Sequence, residues 1–253
     1  MHIMLTNDDG IGAKGIMALY QAAVERGHEV TMCAPRYQQS AASHRFTLAD
    51  PIYVSEYPLD AEGCRGYAIA GTPADCVRVG MCKLVDRPVD VVISGINDGY
   101  NAGIAVHYSG TVGAAMEGSF HHLPAIATSI HHEATQEMFD HLARFTIEMA
   151  EKYVQSPHAR CSILNINAPL VAPGALKEPV YAPLNEGYFV DSYIQYSTPR
   201  AGDCYWLSHE DGGVDAITEG SDMDYLEKGH ITLTIMGNFV SADKAFWDTL
   251  HIG

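Results

Sequence analysis

The sequence has few positive charges for its length. It carries 15 Lys and Arg against 31 Asp and Glu in 253 residues, which gives a formal net charge of -16 at pH 7. Such a chain repels a long polyanion, because duplex nucleic acid carries one negative charge per phosphate. The composition therefore argues against nucleic acid as a partner, and it allows a small phosphorylated molecule only where a local cation offsets the field.

Long apolar runs and paired cysteines are also missing. No stretch approaches the ~20 apolar residues that a membrane-spanning helix needs. The chain reaches Asp8 and Asp9 without the basic and apolar segments of a secretory signal. The six cysteines include no C-x-x-C pair, and a chain of this length needs no disulfide to fold. We therefore expect a cytoplasmic protein without membrane association, whose thiols are reduced.

Strand-like and helix-like segments alternate over the first two thirds of the chain. Short apolar runs predict buried strands at 2–6, 29–35, 89–95, 124–130 and 161–169. Amphipathic runs between them predict helices, one of which starts at the N-cap Thr72 with Pro73 in its first position. This alternation predicts an α/β fold with a doubly wound, mostly parallel sheet in a Rossmann-like three-layer arrangement.

The composition changes after Pro169. Residues 170–210 are rich in proline, glycine and aromatic side chains and lose the helical periodicity. We expect a single domain with three parts: an α/β core at 1–170, an extended β-hairpin arm at about 171–229, and a C-terminal strand and helix at 230–253.

A loop with G-x-G-x-x-G spacing follows the first strand. Gly10, Gly12 and Gly15 match a dinucleotide-binding loop, in which a pyrophosphate faces a helix N-terminus. Asp8 and Asp9 stand directly before these glycines, however, and a carboxylate about 5 Å from a phosphate charge costs roughly 3 kcal/mol at an effective dielectric near 20. Two alternatives remain open: an NADP-binding oxidoreductase, and aspartates that only cap the following helix.

Oxygen-bearing side chains follow several strands of the predicted sheet. Asp8 and Asp9 come after the first strand, Ser40 after the second, and Asn97 and Asn101 after the strand at 89–95. Open parallel sheets bind ligands outside the carboxyl ends of their strands, and hard divalent cations take oxygen ligands. Two aspartates and one divalent cation sum to zero charge, so a phosphate dianion can then approach.

A small hydroxyl-rich segment precedes a predicted helix. Ser109, Gly110 and Thr111 offer hydroxyls and free backbone amides at a helix start, which suit phosphate oxygens. The segment is not a P-loop, because the spacing G-x-x-x-x-G-K-[ST] is absent. Histidine-bound zinc is not expected, since H-E-x-x-H is absent and the adjacent pairs at 121–122 and 131–132 cannot both face one site on a regular element.

Taken together, these segments resemble the SurE family of metal-dependent 5′(3′)-nucleotidases and phosphatases. The resemblance rests on TNDDGIGAKGI, APRYQQSAAS, GTPADCV, SGINDGYNAG, YSGTVGAAMEG and LNINAP, in this order within residues 1–169. It implies an enzyme that hydrolyses nucleoside 5′(3′)-monophosphates to nucleoside and phosphate, with short polyphosphate as a further candidate substrate. A non-catalytic nucleotide-binding module is the alternative from another class.

The resemblance also implies roles for individual residues. One divalent metal ion per subunit, Mg²⁺ or Mn²⁺, is held by Asp8, Asp9, Ser40 and Asn97. Asp8 or Asp9 is also the candidate catalytic base for the attacking water. The candidates for phosphate and substrate binding are Asn101, Ser109, Gly110 and Thr111. A C-terminal extension exchanged between subunits implies a homodimer or homotetramer.

Some roles stay open at this level. His44 lies four residues after Ser40 and is an alternative acid or base, His107 lies two residues before Ser109, and an aspartate nucleophile is a further alternative. The second half departs from the family pattern: STPRAGDCYWL stands where the family has D-P-R-G-R-x-Y-Y-W-L, and LTIMGNF where a strand usually ends V-T-P-L. These departures leave the metal residues unchanged but bear on the oligomer contacts and the substrate range.

Overall fold

Strands and helices alternate in the computed structural model, which describes residues 1–157 and 159–237. The strands are β1 (His2–Thr6), β2 (Glu29–Pro35), β3 (Val54–Tyr57), β4 (Arg65–Ile69), β5 (Val91–Asp98), β6 (Ala125–Ile130), β7 (Ser162–Ala168), β8 (Lys177–Tyr181), β9 (Phe189–Thr198), β10 (Gly202–Val214) and β11 (His230–Gly237). The α-helices are α1 (Lys14–Glu25), α2 (Pro73–Val79), α3 (Gly110–Phe120), α4 (Gln136–Tyr153) and α5 (Asp222–Glu227). All five strands predicted for the α/β core are present.

The main sheet has nine strands in the order β3-β4-β2-β1-β5-β6-β7-β11-β8. β1 pairs in parallel with both β2 and β5, and the parallel pairing continues to β4 on one side and to β7 on the other. β3 and β11 pair antiparallel with β4 and β7. The strand order reverses between β1 and β5, and doubly wound sheets bind ligands at the carboxyl ends of such a pair.

Helices cover both faces of the sheet. α1 and α4 pack together on one face, and α2 and α3 pack together on the other. Alternate side chains of β1 point to opposite faces of the sheet. Ile3 and Leu5 belong to the apolar core on one face, and Met4 belongs to the apolar core on the other. All three are fully buried. The predicted three-layer α/β fold is confirmed.

Two helix starts are capped as their sequences indicate. The Thr72 hydroxyl accepts from the backbone N of Asp75, whose carboxylate in turn accepts from the backbone N of Thr72, and Pro73 occupies the first turn of α2. The Ser109 hydroxyl accepts from the backbone N of Val112 at 3.1 Å at the start of α3. These caps fix where α2 and α3 begin, at the same edge of the sheet as Asp8.

The loop after β1 depends on two of its three glycines. Gly10 has a φ of +105°, which favours glycine. A Cβ at Gly15 would lie 2.0 Å from the backbone O of Ile96, so only glycine lets α1 approach β5 this closely. A Cβ at Gly12 would meet nothing closer than the Tyr57 hydroxyl at 3.6 Å. The G-x-G-x-x-G spacing thus combines one turn glycine and one packing glycine with a less constrained position.

The predicted arm is shorter in the structure. Only β9 and β10, at 189–198 and 202–214, form the antiparallel hairpin. β8 joins the main sheet beside β11, and α5 packs on β11, so much of the 171–229 range belongs to the body of the protein. The structure also adds β3 and β4, which were not predicted. The C-terminal strand is β11, and the helix predicted after it lies outside the described residues.

None of the helices within 1–157 and 159–237 combines the length and the apolar character needed to span a membrane.

Candidate metal and phosphate site

The carboxyl ends of β1 and β5 meet at a cavity of about 190 Å³. The loop after β2 and the segment before α3 close it. Six of the eight predicted site residues line this cavity: Asp8, Asp9, Ser40, Asn97, Asn101 and Ser109. Asp98, Ala41, Ala105, Tyr108 and Phe189 line it as well. Residues from five separate segments of the chain are therefore brought to one place at the switch point of the sheet.

Asp8 is a buried carboxylate, with only 4% of its surface exposed. Burial raises its pKa to about 6, against the opposing effect of the Thr111 hydroxyl, which donates to Asp8 Oδ1 at 2.5 Å. The neighbouring charge of Asp9 raises the pKa of Asp8 further. Asp8 thus carries a negative charge that the protein alone does not balance.

Asp9 lies beside it and is half-buried. Its Oδ2 accepts from the backbone N of Asp98 at 3.1 Å, and its Oδ1 accepts from Gln38 Nε2 at 3.4 Å. Burial raises the pKa of Asp9, the hydrogen bond from the Asp98 amide lowers it, and the charge of Asp98 raises it again. Lys14 pairs with Asp98 at 3.1 Å, yet no Lys or Arg among the described residues lines the cavity.

Ser40 and Asn97 supply neutral oxygens to the same cavity. The loop that carries Ser40 is joined to the loop after β1 by a hydrogen bond of 2.7 Å from the backbone N of Gln39 to the carbonyl O of Asp8. Asn97 Nδ2 donates to the carbonyl O of Gly99 at 2.7 Å, so its Oδ1 remains as a ligand atom. A set of two carboxylates, a hydroxyl and an amide oxygen, with uncompensated negative charge, fits a hard divalent cation such as Mg²⁺ or Mn²⁺.

Asn101 is held rigidly by side chains from β6 and β7. Its Nδ2 donates to Ser129 Oγ at 2.8 Å, and its backbone N donates to Asn167 Oδ1 at 2.9 Å. Its carbonyl O accepts from Asn165 Nδ2 at 2.8 Å and from Asn167 Nδ2 at 3.1 Å. Asn165 and Asn167 were not singled out from the sequence, although both lie within the LNINAP motif.

The start of α3 contacts Asp8 directly. Ser109 lines the cavity, whereas Gly110 and Thr111 contact Asp8 and are not among the lining residues. A Cβ at Gly110 would lie 3.0 Å from both Cβ and Oδ2 of Asp8, so a larger residue would require Asp8 to shift by a few tenths of an ångström. The Thr111 hydroxyl is fully buried and bound to Asp8. Phosphate binding by this segment stays a prediction, and Thr111 has a second role, which is to orient Asp8.

The candidate histidines near the site face elsewhere. His44 Nε2 lies 2.9 Å from Glu117 Oε2, and His44 is not among the residues that line the cavity. His107 contributes its carbonyl O, which accepts from Ser43 Oγ at 2.7 Å, while its side chain is not part of the lining. The geometry therefore gives neither histidine a place as acid or base at the phosphate.

A separate histidine cluster follows β6. Donor atoms of His131, His132 and Glu133 lie within 4.8 Å of one another, because these residues form a turn rather than a regular element. The expectation that this histidine pair could not share a site does not apply to a turn. His131 Nδ1 already accepts from the backbone N of Glu133 at 3.2 Å, so one of its two ring nitrogens is engaged.

The fold and the site define a doubly wound α/β protein with an oxygen-lined, acidic crevice at its switch point. A family model described as Survival protein SurE matches residues 3–189. The chain belongs to the SurE family, as its motifs indicated.

Relatives match over nearly the whole chain. The chain is 38% identical over 248 residues to the 5′-nucleotidase SurE of Solidesulfovibrio magneticus. This alignment covers 97% of this chain and 94% of that protein. It is 37% identical over 234 residues to the 5′-nucleotidase SurE of Clostridium tetani, with 92% of each covered. The crystal structure of the SurE protein from Aquifex aeolicus matches with a TM-score of 0.79 at 27% identity over 98% of both chains.

Proposed function

We propose that this protein is a metal-dependent phosphomonoesterase that hydrolyses nucleoside 5′(3′)-monophosphates to nucleoside and phosphate. The observation that carries the proposal is the cavity in which Asp8 and Asp9 meet Ser40 and Asn97 without a lining Lys or Arg in the described part of the chain. Relatives over most of its length are named 5′-nucleotidase SurE. The acidic pair also disfavours the oxidoreductase alternative, because the pyrophosphate of a dinucleotide would face both carboxylates.

Asp8, Asp9, Ser40 and Asn97 would hold one divalent cation, Mg²⁺ or Mn²⁺. When bound, the cation polarises a phosphoryl oxygen and lowers the pKa of a water molecule. Asp8 or Asp9 accepts the proton of the attacking water.

The remaining predicted residues bind the substrate phosphate. Ser109 and the first amides of α3, at Gly110 and Thr111, lie at a helix N-terminus, where the helix dipole favours negative charge. Asn101 is a fixed polar contact on the opposite loop. These donors stabilise the charge that spreads over the phosphoryl oxygens in the transition state.

The decisive experiment is a phosphatase assay on purine and pyrimidine nucleoside monophosphates. It compares the protein with Mn²⁺ or Mg²⁺, with a chelator, and as the Asp9→Asn variant, with Asp140→Asn on α4 as the matched control. We expect activity only with metal, loss of activity in Asp9→Asn, and full activity in Asp140→Asn. Activity that survives both the chelator and the Asp9→Asn substitution overturns the proposal.

We infer further that the β9–β10 hairpin contacts a second copy of the chain in a homodimer or homotetramer. Four large aromatic side chains of the hairpin stand in solvent: Tyr193, Tyr196, Tyr205 and Trp206 are between 53% and 71% exposed. Exposed apolar surface of this kind is typical of a protein interface.

The five cysteines whose side chains are described form no disulfide, which supports a cytoplasmic location.

A further inference from the structure

The loop that carries Ser40 has a disfavoured backbone conformation directly after this residue. Ala41 has a φ of +56° and Ser43 a φ of +52°, so two residues with side chains adopt the left-handed conformation within three positions. Residues that carry a Cβ rarely adopt this conformation, and they keep it only where the surrounding structure holds them. Contacts outside the loop must therefore maintain the backbone beside Ser40.

Contacts with α3 and with the segment before it supply this restraint. Ser43 donates from its backbone N to the carbonyl O of Tyr108 at 3.0 Å and from its hydroxyl to the carbonyl O of His107 at 2.7 Å. The loop backbone also lies directly against α3, because a Cβ at Gly113 would be 2.4 Å from the carbonyl O of Ser43. The loop is thus fitted to α3 a few residues after Ser40.

His44 connects the same part of the loop to a carboxylate of α3. Its Nε2 lies 2.9 Å from Glu117 Oε2, and because an ionised carboxylate only accepts, His44 is the donor. The His44 ring also packs against Phe120, with the ring centroids 5.3 Å apart. Glu117 is buried, and Arg78 Nη1 donates to its other oxygen at 3.0 Å. His44 therefore joins the loop to a carboxylate that is itself fixed.

We propose that His44 is a positioning residue for the metal site: through Glu117 it holds the loop against α3 and keeps the Ser40 hydroxyl in the cavity with Asp8 and Asp9. This inference rests on the proposed function, in which Ser40 is a ligand of the cation. Without the His44 contact, the two left-handed residues can relax and Ser40 can leave the cavity. The cation must then restore the position of the loop when it binds, which lowers its affinity.

The test is the affinity of the full-length protein for Mn²⁺, measured from the electron paramagnetic resonance signal of the free ion. It compares the wild type with His44→Ala, with Ser40→Ala and with the double variant. His121→Ala is the matched control, because His121 Nε2 also approaches Glu117, at 3.7 Å, but belongs to the end of α3 and not to the loop. Phosphate release from AMP is measured on the same samples.

We expect His44→Ala to raise the Kd for Mn²⁺ about tenfold, the lower end of the range for residues that orient metal ligands. His121→Ala should change the Kd less than about twofold. At saturating Mn²⁺ the kcat of His44→Ala should return to within about twofold of the wild-type value, because the bound cation restores the position of Ser40. His44→Gln places an amide donor near the position of Nε2 and should recover the wild-type Kd.

The double variant decides whether His44 acts through Ser40. Two substitutions that act through the same contact are not additive. In the Ser40→Ala background, His44→Ala should therefore change the Kd less than about twofold. A tenfold effect of His44→Ala in both backgrounds overturns the proposal, as does an unchanged Kd in His44→Ala or an equal loss of affinity in His121→Ala.

The results distinguish failure of this inference from failure of the proposed function. A wild-type protein that binds no Mn²⁺ and releases no phosphate overturns both. A wild-type protein that binds Mn²⁺ and hydrolyses AMP, but has the same Kd after Ser40→Ala, keeps the proposed function and overturns the role of His44. If circular dichroism shows that His44→Ala does not fold, His44→Phe takes its place in every comparison, because it keeps a ring against Phe120 and removes the hydrogen bond.

Discussion

His44 Nε2 lies 2.9 Å from Glu117 Oε2, and Arg78 Nη1 lies 3.0 Å from the other oxygen of the same carboxylate. The Glu117 side chain is only 6% exposed. It joins α3 to the loop that carries Ser40, and to α2 through Arg78. Burial alone would raise the pKa of Glu117, but the hydrogen bond from His44 and the charges of Arg78 and His121 together lower it.

Replacement of Glu117 by Gln should destabilise the protein at neutral pH by about 1–3 kcal/mol, because Arg78 loses its ion-pair partner and an amide nitrogen replaces one of the two oxygens that contact His44 and Arg78. The lowered pKa of Glu117 stabilises the folded protein fully at pH values above the pKa of the unfolded state, near 4.5. This stabilisation is lost as the pH falls through the lower pKa of the folded state. The wild-type and Glu117→Gln stabilities should therefore converge at acid pH. Urea unfolding between neutral and acid pH measures this, with exposed Glu25→Gln as the control. A difference that stays constant with pH would contradict it.

Replacement of Asp8 by Asn should abolish activity yet stabilise the metal-free protein at pH 7. The pKa of Asp8 is raised from 3.8 to about 6, so the ionised carboxylate destabilises the folded protein above pH 6. This destabilisation disappears as the pH falls toward 3.8. The penalty is up to roughly 3 kcal/mol. Asn keeps an oxygen that can accept from Thr111. Urea unfolding in chelator at pH 7 and pH 5 checks the prediction, and a destabilised Asp8→Asn at pH 7 speaks against it.

Thr111→Val should weaken catalysis through Asp8 while preserving the shape of the side chain. The hydrogen bond from Thr111 lowers the pKa of Asp8 in the metal-free protein. Without it a proton competes better with the cation for Asp8, so at subsaturating metal the acid limb of the kcat/KM profile should move to higher pH. We expect about tenfold lower activity at neutral pH, the scale of one lost charged hydrogen bond. Thr111→Ser keeps the hydroxyl and should restore the profile. A pH profile identical to the wild type in Thr111→Val rules out this role.

The sequence predicted the strands and the capped helix starts of the core well. β1, β5 and β6 are buried on both faces and contain the short apolar runs that predicted them, whereas β7 alternates apolar residues with the buried Asn165 and Asn167. β3, at Val54–Tyr57, was missed because it is a short and largely exposed edge strand with no such run. The arm was predicted at about 171–229, whereas the antiparallel hairpin consists of β9 and β10, and β8 pairs with β11 in the main sheet.

The sequence predicted residues that line the cavity, such as Asp8 and Asn97, but it did not predict the residues that hold the surrounding loops in place. Asp222 is fully buried and accepts from the backbone N of Gly103 at 2.9 Å and from that of Asn185 at 2.8 Å. It thereby links the loop of Asn101 to the segment before the hairpin. Its partners lie far away in the chain, and a bond to a backbone amide leaves no pattern in the sequence.

The glycines of the loop after β1 should differ sharply in their tolerance of a methyl group. Gly15→Ala places a Cβ 2.0 Å from the carbonyl O of Ile96, whereas Gly12→Ala meets only the Tyr57 hydroxyl at 3.6 Å. We expect a loss of about 3 kcal/mol in the free energy of unfolding for Gly15→Ala, as for other overpacked sites, and less than about 1 kcal/mol for Gly12→Ala. Urea unfolding of the two variants tests this. Equal losses would show that packing against β5 does not set the requirement for glycine.

The hairpin should control the oligomeric state, with Trp206 as its most exposed aromatic side chain at 71%. Truncation of a tryptophan at the centre of an interface typically costs 2 kcal/mol or more, so Trp206→Ser should weaken self-association by about 30-fold. Tyr53→Ser, on the edge strand side of the sheet and 66% exposed, is the matched control and should leave assembly unchanged. Sedimentation velocity over a range of protein concentrations measures both. A monomeric wild-type protein, or a Trp206→Ser variant that assembles as tightly as the wild type, would remove the hairpin from the interface.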